Sequence, residues 1–150
     1  MKDLSLHILD LSQNSISAGA SLVEISVEED TKADRLTICI NDNGKGMDKD
    51  FLVKVMDPFV TTRTSRKVGL GIPLMQAACR RCEGDLVIES EKNVGTQLTA
   101  VFKHSHIDRA PMGNMAETML SLILAGSDVN RNVDFVYRHI IDGRVFCLDT

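Results

Sequence analysis

Near the start of the chain, Leu4, Ile8 and Leu11 recur at helical spacing, with Leu9 and Ile16 in support. That spacing predicts a helix over 4–17. Asp3, His7, Asp10, Asn14 and Ser17 follow at steps of three or four and form a second, polar stripe. Gly19 is a natural stop. The period then changes to two. Val23, Ile25 and Val27 alternate with Glu24, Ser26 and Glu28, and Leu36, Ile38 and Ile40 alternate with Thr37, Cys39 and Asn41. Both runs predict half-buried strands joined as a hairpin by the polar stretch 29–35.

A glycine-containing loop at 42–46 follows, and Asp48 is placed to cap a short helix reaching Met56. Residues 57–68 show no periodicity and read as a long loop with Pro58, threonines and basic residues. Gly69-Leu70-Gly71 opens an amphipathic helix that ends at Gly84, and strands are expected at 85–89 and 96–102 around a turn at Asn93 and Gly95. Beyond His104 come a connector with Pro111 and Gly113, a helix over 115–124, and strands over 133–141 and 144–148. Asp142-Gly143 between those strands is a strong hairpin signal. The order helix, strand, strand, helix, strand, strand predicts an α/β (α+β) two-layer sandwich: a mixed β-sheet with helices on one face, plus a C-terminal helix and β-hairpin extension. The expected division is 1–103 for the main domain and 104–150 for the extension. The extension is expected to dock a partner or dimerise, on the strength of Met112, Met115 and Met119, or to cover the sheet's edge or core.

Bulk composition narrows the function. The 150 residues suffice for one domain with a real core, and 43% hydrophobic with 25% charged residues is ordinary for a globular chain. A net charge of -4 makes nucleic acid a poor first guess. No apolar run is long enough to cross a bilayer and no signal-peptide pattern opens the chain, so no membrane role and a cytoplasmic location are expected. Four cysteines then read as free thiols, and Cys79-x-x-Cys82, lacking a second ligand pair, as ordinary helix residues. His104 and His106 lie in the connector, with no partner evident from the sequence.

Three patches carry candidate chemistry. Asp10 and Asn14 stand one turn apart on one helix face, where an amide oxygen is a hard ligand for Mg²⁺ and a carboxylate can orient an attacking water or hydroxyl. Asp42-Asn43-Gly44-Lys45-Gly46 ends a strand; its carboxylate can accept from an exocyclic amino group such as adenine's, and its glycines allow close approach. Gly69-Leu70-Gly71 lies at a helix start, where free amides and the helix dipole favour phosphate, with Thr61, Thr62, Arg63, Thr64, Arg66 and Lys67 just upstream. Each patch alone is also consistent with a solvated face, a turn or a cap. There is no G-x-x-x-x-G-K-[ST] loop.

In order, Asp10-x-x-x-Asn14, Asp42-x-Gly44-x-Gly46, Gly69-x-Gly71 and Gly95-Thr96 resemble the Bergerat-fold (GHKL) ATPase superfamily, over roughly residues 4–103. Asp57-Pro58-Phe59-Val60-Thr61-Thr62-Arg63 looks like the kinase F box. Gly69 to Thr96 is most similar to a histidine kinase ATP-binding domain, and Asn14 to Ala20 to the mismatch-repair ATPases. The resemblance implies ATP or ADP with Mg²⁺ as cofactors. It implies Asn14 as the Mg²⁺ ligand and Asp42, supported by Thr96, as the reader of the adenine amino group. Gly44, Gly46, Met47, Thr61, Thr62, Arg63, Gly69, Leu70 and Gly71 complete the implied nucleotide set, with 57–68 as a lid and Asp10 as the catalytic base. Asp10 stands where hydrolytic members have Glu, and Lys67 where a glycine is usual.

The expected function is Mg-ATP binding with phosphoryl transfer to a partner protein, or ATP hydrolysis, in signalling. The alternatives are a nucleotide-gated binding module, as in anti-sigma factors, and a scaffold that keeps the fold without the nucleotide. A protein partner is implied in either active case, and homodimerisation is left open. His7, inside the nucleotide motif, reads as a helix-face residue and not as a phosphoacceptor.

Overall fold

The computed structural model describes residues 3–56, 71–128 and 131–150. The elements in chain order are α1 (Leu4–Ser17), β1 (Leu22–Asp30), β2 (Arg35–Asp42), α2 (Lys49–Met56), α3 (Gly71–Arg81), β3 (Asp85–Glu91), β4 (Gly95–Lys103) and α4 (Met115–Gly126). Two short strands follow, β5 (Ser127–Asp128) and β6 (Arg131–Asn132), and then β7 (Asp134–Ile141) and β8 (Arg144–Asp149). Six of the strands make one sheet in the order β3-β4-β2-β1-β7-β8. Every neighbouring pair in it is antiparallel except β1 and β7, which run parallel. β5 and β6 form a separate two-stranded ribbon.

The two-residue period explains why the sheet has one apolar face. Val23, Ile25 and Val27 of β1, Leu36, Ile38 and Ile40 of β2, and Leu98, Ala100 and Phe102 of β4 are all buried. Their register sets Ile25 beside Ile40 and Ile40 beside Leu98, so the buried rows run across the strands. α1 presents Leu4, Ile8 and Leu11 to this face and α3 presents Ile72, Met75 and Cys79, while α4, packed chiefly against α1, adds Met115, Met119 and Leu122 to the same core. The arrangement is the two-layer sandwich with helices on one face that the sequence predicts. Cys79 and Cys82 are buried free thiols.

The terminal hairpin enters this sheet beside its middle. β7 pairs along the whole free edge of β1, from Leu22 opposite Asp134 to Glu29 opposite Ile141, and puts Phe135 and Tyr137 into the core. Of the two readings of the extension, the placement of its methionines favours the one that covers the core. Met115 and Met119 are buried on the face of α4 that packs against α1, and Met112 is half-buried against the same core. Among the described residues no helix is long and apolar enough to cross a membrane.

Helix ends follow their capping chemistry. Asp48 caps α2 by accepting from Phe51 N–H at 2.8 Å, and Asn114 caps α4 by accepting from Glu117 N–H at 3.1 Å. α1 stops at Ser17, and Gly19 turns the chain with φ +79°. Pro73 sits in the first turn of α3, where its missing N–H costs no intrahelical bond.

Candidate nucleotide-binding site

α1 is the spine of the site. Its Asp10 and Asn14 are half-buried and lie against the start of α3: a Cβ built on Gly71 would stand 3.8 Å from Asn14 Nδ2 and 3.9 Å from Asp10 Cβ. A glycine at that crossing keeps the first amides of α3 close to the two polar side chains. These amides have no intrahelical acceptor, and the dipole makes that end of the helix electropositive.

The next residue along α1, Ser15, reaches the second patch. Its buried hydroxyl donates to Asp42 Oδ2 at 2.6 Å, while Asp42 Oδ1 accepts from Gly44 N–H at 2.9 Å. Both oxygens are thus fixed from below, and a carboxylate retains further lone pairs to accept from above. The position follows from strand geometry, since Asp42 is the last residue of β2 and shares the helix-side face with Ile38 and Ile40.

Thr96 of β4 lies directly opposite Asp42 across the ladder. Its hydroxyl is 2.8 Å from that of Ser90 in β3, and Ser90 Oγ also accepts from Met47 N–H at 2.8 Å. Ser90 therefore joins the β3–β4 pair to the loop after β2. The sequence offered no signal for Ser90 or Ser15, because a lone serine on a strand or helix has no local pattern. Asn43 is a further structural member: its side chain accepts from Ser21 and Leu22 N–H and donates to Ser21 Oγ, which pins the loop to the start of β1.

The loop's glycines answer to the protein itself. At Gly46, φ is +67° and an added Cβ would lie 2.0 Å from the Glu91 carbonyl oxygen. At Gly95, φ is +147° and the Cβ would meet the Asp42 carbonyl oxygen at 2.1 Å. Side chains at either position would force apart the β2 loop and the β3–β4 turn. Asn93 N–H donating to Lys45 O closes the same junction, and Lys45 N–H donating to Ala18 O ties the loop to the end of α1.

The structure thus gathers Asp10, Asn14, Asp42, Gly44, Gly46, Met47, Gly71 and Thr96 around the C-terminal half of α1 and the adjoining strand ends. Thr61, Thr62, Arg63, Gly69 and Leu70, together with the proposed lid at 57–68, lie outside the described residues. The polar groups that are present fit a nucleotide. There is a braced carboxylate for an amino group, an amide side chain beside helix-start amides for a metal-bound phosphate, and a hydroxyl pair beside the carboxylate.

Comparison with known proteins identifies the family. Residues 2–106 match the family described as histidine kinase-, DNA gyrase B-, and HSP90-like ATPase. Among curated relatives, the sensor protein kinase FleS of Pseudomonas aeruginosa is 33% identical over 110 residues, covering 73% of this chain and 27% of that protein. A putative sensor protein of Shewanella frigidimarina is 32% identical over 97 residues, covering 63% of this chain and 15% of the relative. The chain therefore spans a minor part of the length of these relatives. Among solved structures, the Aquifex aeolicus MutL ATPase domain complexed with ADP superposes with a TM-score of 0.65 at 16% identity, over 99% of this chain and 63% of that one. That likeness includes the terminal helix and hairpin, and it shows a shared fold. By the extent of the family match and the architecture that accompanies it, the chain belongs to the histidine kinase-, DNA gyrase B-, and HSP90-like ATPase family.

Proposed function

We propose that this chain binds Mg-ATP where α1, the end of β2 and the start of α3 meet, and serves phosphoryl transfer to a partner protein, or hydrolysis, in signalling. The observation that carries the reading is the double engagement of one stretch of α1. Asp10 and Asn14 meet the start of α3 while the adjacent Ser15 fixes Asp42. A phosphate end and a base end are thereby set on one rigid helix.

In this reading Asp42 accepts from the adenine amino group, and the Ser90–Thr96 hydroxyl pair steadies the strand end beneath the base. Asn14 would offer its amide oxygen to Mg²⁺, and the first amides of α3 would hold the phosphates. Mg-ATP bound there would supply the γ-phosphoryl group, with ADP as the leaving group. Asp10 orients the attacking hydroxyl or water and takes its proton, so that catalysis rests mainly on positioning and electrostatics. The chain's resemblance to sensor kinases over part of their length supports a protein acceptor.

Calorimetric titration with ATP, ADP and GTP tests the site. Adenine nucleotides are expected to bind in preference to GTP, and Asp42→Asn is expected to weaken them by roughly 10–100-fold, the worth of one charged hydrogen bond. Wild-type protein that binds no nucleotide refutes the reading. A nucleotide-gated binding module would use the same site. Turnover that is lost in Asp10→Asn while ADP binding persists decides for the enzyme.

A further inference from the structure

The two edges of the six-stranded sheet are unlike. β3, at one edge, carries Asp85, Glu89 and Glu91, so a second strand laid against it would meet carboxylates along its length. β8, at the other, is exposed throughout, and its four central residues, Val145-Phe146-Cys147-Leu148, bear no charge. Val145 is 63% and Phe146 61% exposed. The strand has no proline, lysine or bulge, the devices that normally blunt a free edge. Its charges lie only at its ends, Arg144 at one and Asp149 at the other.

The ladder shows which backbone groups are on offer. Ile141 and Arg144 flank the two-residue turn, and Thr150 N–H donates to Phe135 O at 3.0 Å. The alternation of an antiparallel ladder then turns the even-numbered residues of β8 toward β7 and points the N–H and C=O of Val145, Cys147 and Asp149 outward. Leu148 pairs with buried Tyr137, and Phe146 meets the Tyr137 ring edge-on at 6.2 Å, so the helix-side apolar layer runs out to the edge, uncovered by any of the described residues.

We propose that β8 is a self-association edge, pairing antiparallel with β8 of a second copy about a two-fold axis at Cys147. Two-fold antiparallel pairing joins like faces of the two sheets, which restricts the register. Centring on Cys147 engages all three outward-pointing residues: Cys147 opposes the partner's Cys147, and Val145 opposes the partner's Asp149. Phe146 then lies beside the partner's Leu148 and extends the apolar layer across the junction. Each Arg144 end meets an Asp149 end, whereas parallel pairing would put like charges together. A six-residue strand pair buries less than the roughly 1,200 Å² typical of a stable interface, so the dimer is reversible, with a dissociation constant of roughly 10–100 µM.

Sedimentation velocity on the full chain across that range tests this, together with a short bis-maleimide linker that joins thiols facing each other. The wild type is expected to dimerise with concentration and to be crosslinked, and Cys147→Ser to dimerise without crosslinking. Cys147→Lys, which sets two ammonium groups face to face on an already exposed position, is expected to be monomeric with an unchanged circular dichroism spectrum. Val145→Lys faces the partner's Asp149 and is expected to remain dimeric, where a merely sticky edge would lose association. A wild type monomeric at all concentrations overturns the proposal, as does a Cys147→Lys dimer. A monomeric Val145→Lys, or crosslinking that survives Cys147→Ser, overturns the register.

Discussion

The hydroxyl of Ser15 on α1 donates to the carboxylate of Asp42 at the end of β2, 2.6 Å away and 27 residues along the chain. The bond ties the helix to the strand end and selects one orientation of Asp42. Ser15→Ala leaves the fold intact but frees the carboxylate to rotate. A hydrogen bond to a charged group contributes about 1.5–3 kcal/mol, shared here between stability and binding. We expect ADP affinity to fall roughly 3–10-fold by calorimetry, less than for Asp42→Asn. An affinity equal to wild type would remove Ser15 from the site.

Gly95 should tolerate no side chain. Its Cβ would meet the carbonyl of Asp42, a backbone atom of the paired strand, and φ there is already in glycine's region. Gly95→Ala is expected to cost roughly 3 kcal/mol or more in urea unfolding, combining backbone strain with a ladder that must open. Gly143, at the tip of the β7–β8 turn with φ +88° and nothing within 4 Å, has the strain alone. Gly143→Ala should cost about 1–2 kcal/mol.

Glu29 is the second junction of the fold. One carboxylate oxygen lies 2.9 Å from His104 Nε2 and the other 2.6 Å from His139 Nε2, while His139 Nδ1 is 3.0 Å from the Tyr137 hydroxyl. Burial pushes the Glu29 carboxyl up, but the hydrogen bonds and charge of the two histidines outweigh it and hold the group below its ordinary 4.5. A carboxyl lowered in the folded state gives stability that is complete above 4.5 and is lost as pH falls through the folded value. Urea denaturation of the wild type should therefore weaken below pH 4.5, and Glu29→Gln should flatten that part of the profile. At pH 7 the variant is expected to lose about 1–3 kcal/mol.

The thiols should separate by reactivity. Burial pushes Cys79 up to about 12 and Cys82 also upward, whereas Cys147 is exposed. Thiolate is the nucleophile, so at pH 8 a thiol reagent is expected to label Cys147 rapidly and to leave Cys79 and Cys82 until the protein unfolds. Rapid native labelling of Cys79 would contradict its place in the core.

Much of the secondary structure was legible because it is written in short-range periodicity. The alternation in β1 and β2, the helical spacing of Leu4, Ile8 and Leu11, and the Asp142-Gly143 turn all gave elements within a few residues of those observed. Strand order was not legible. Nothing local in Phe135 or Tyr137 says that β7 lies parallel to β1, since pairing depends on a face and an edge created elsewhere in the chain. The same limit hid Ser90, a lone serine whose role appears only when β3 and the loop after β2 are neighbours. It also hid the partner of His104, which lies 75 residues earlier at Glu29. Composition likewise left two readings of Met115 and Met119 open, because it marks an adaptable side chain but not the face it takes, here the buried one.

The placement of β7 also sets the order of events during synthesis. Glu29 and His139, joined across β1 and β7, are 110 residues apart, and such distant pairing forms slowly because a long loop must close first. While the ribosome is still working through the later codons, β1 has β2 for company and a bare flank on its other side. The nascent chain therefore passes through a stage in which its central strand is a template for any extended peptide nearby.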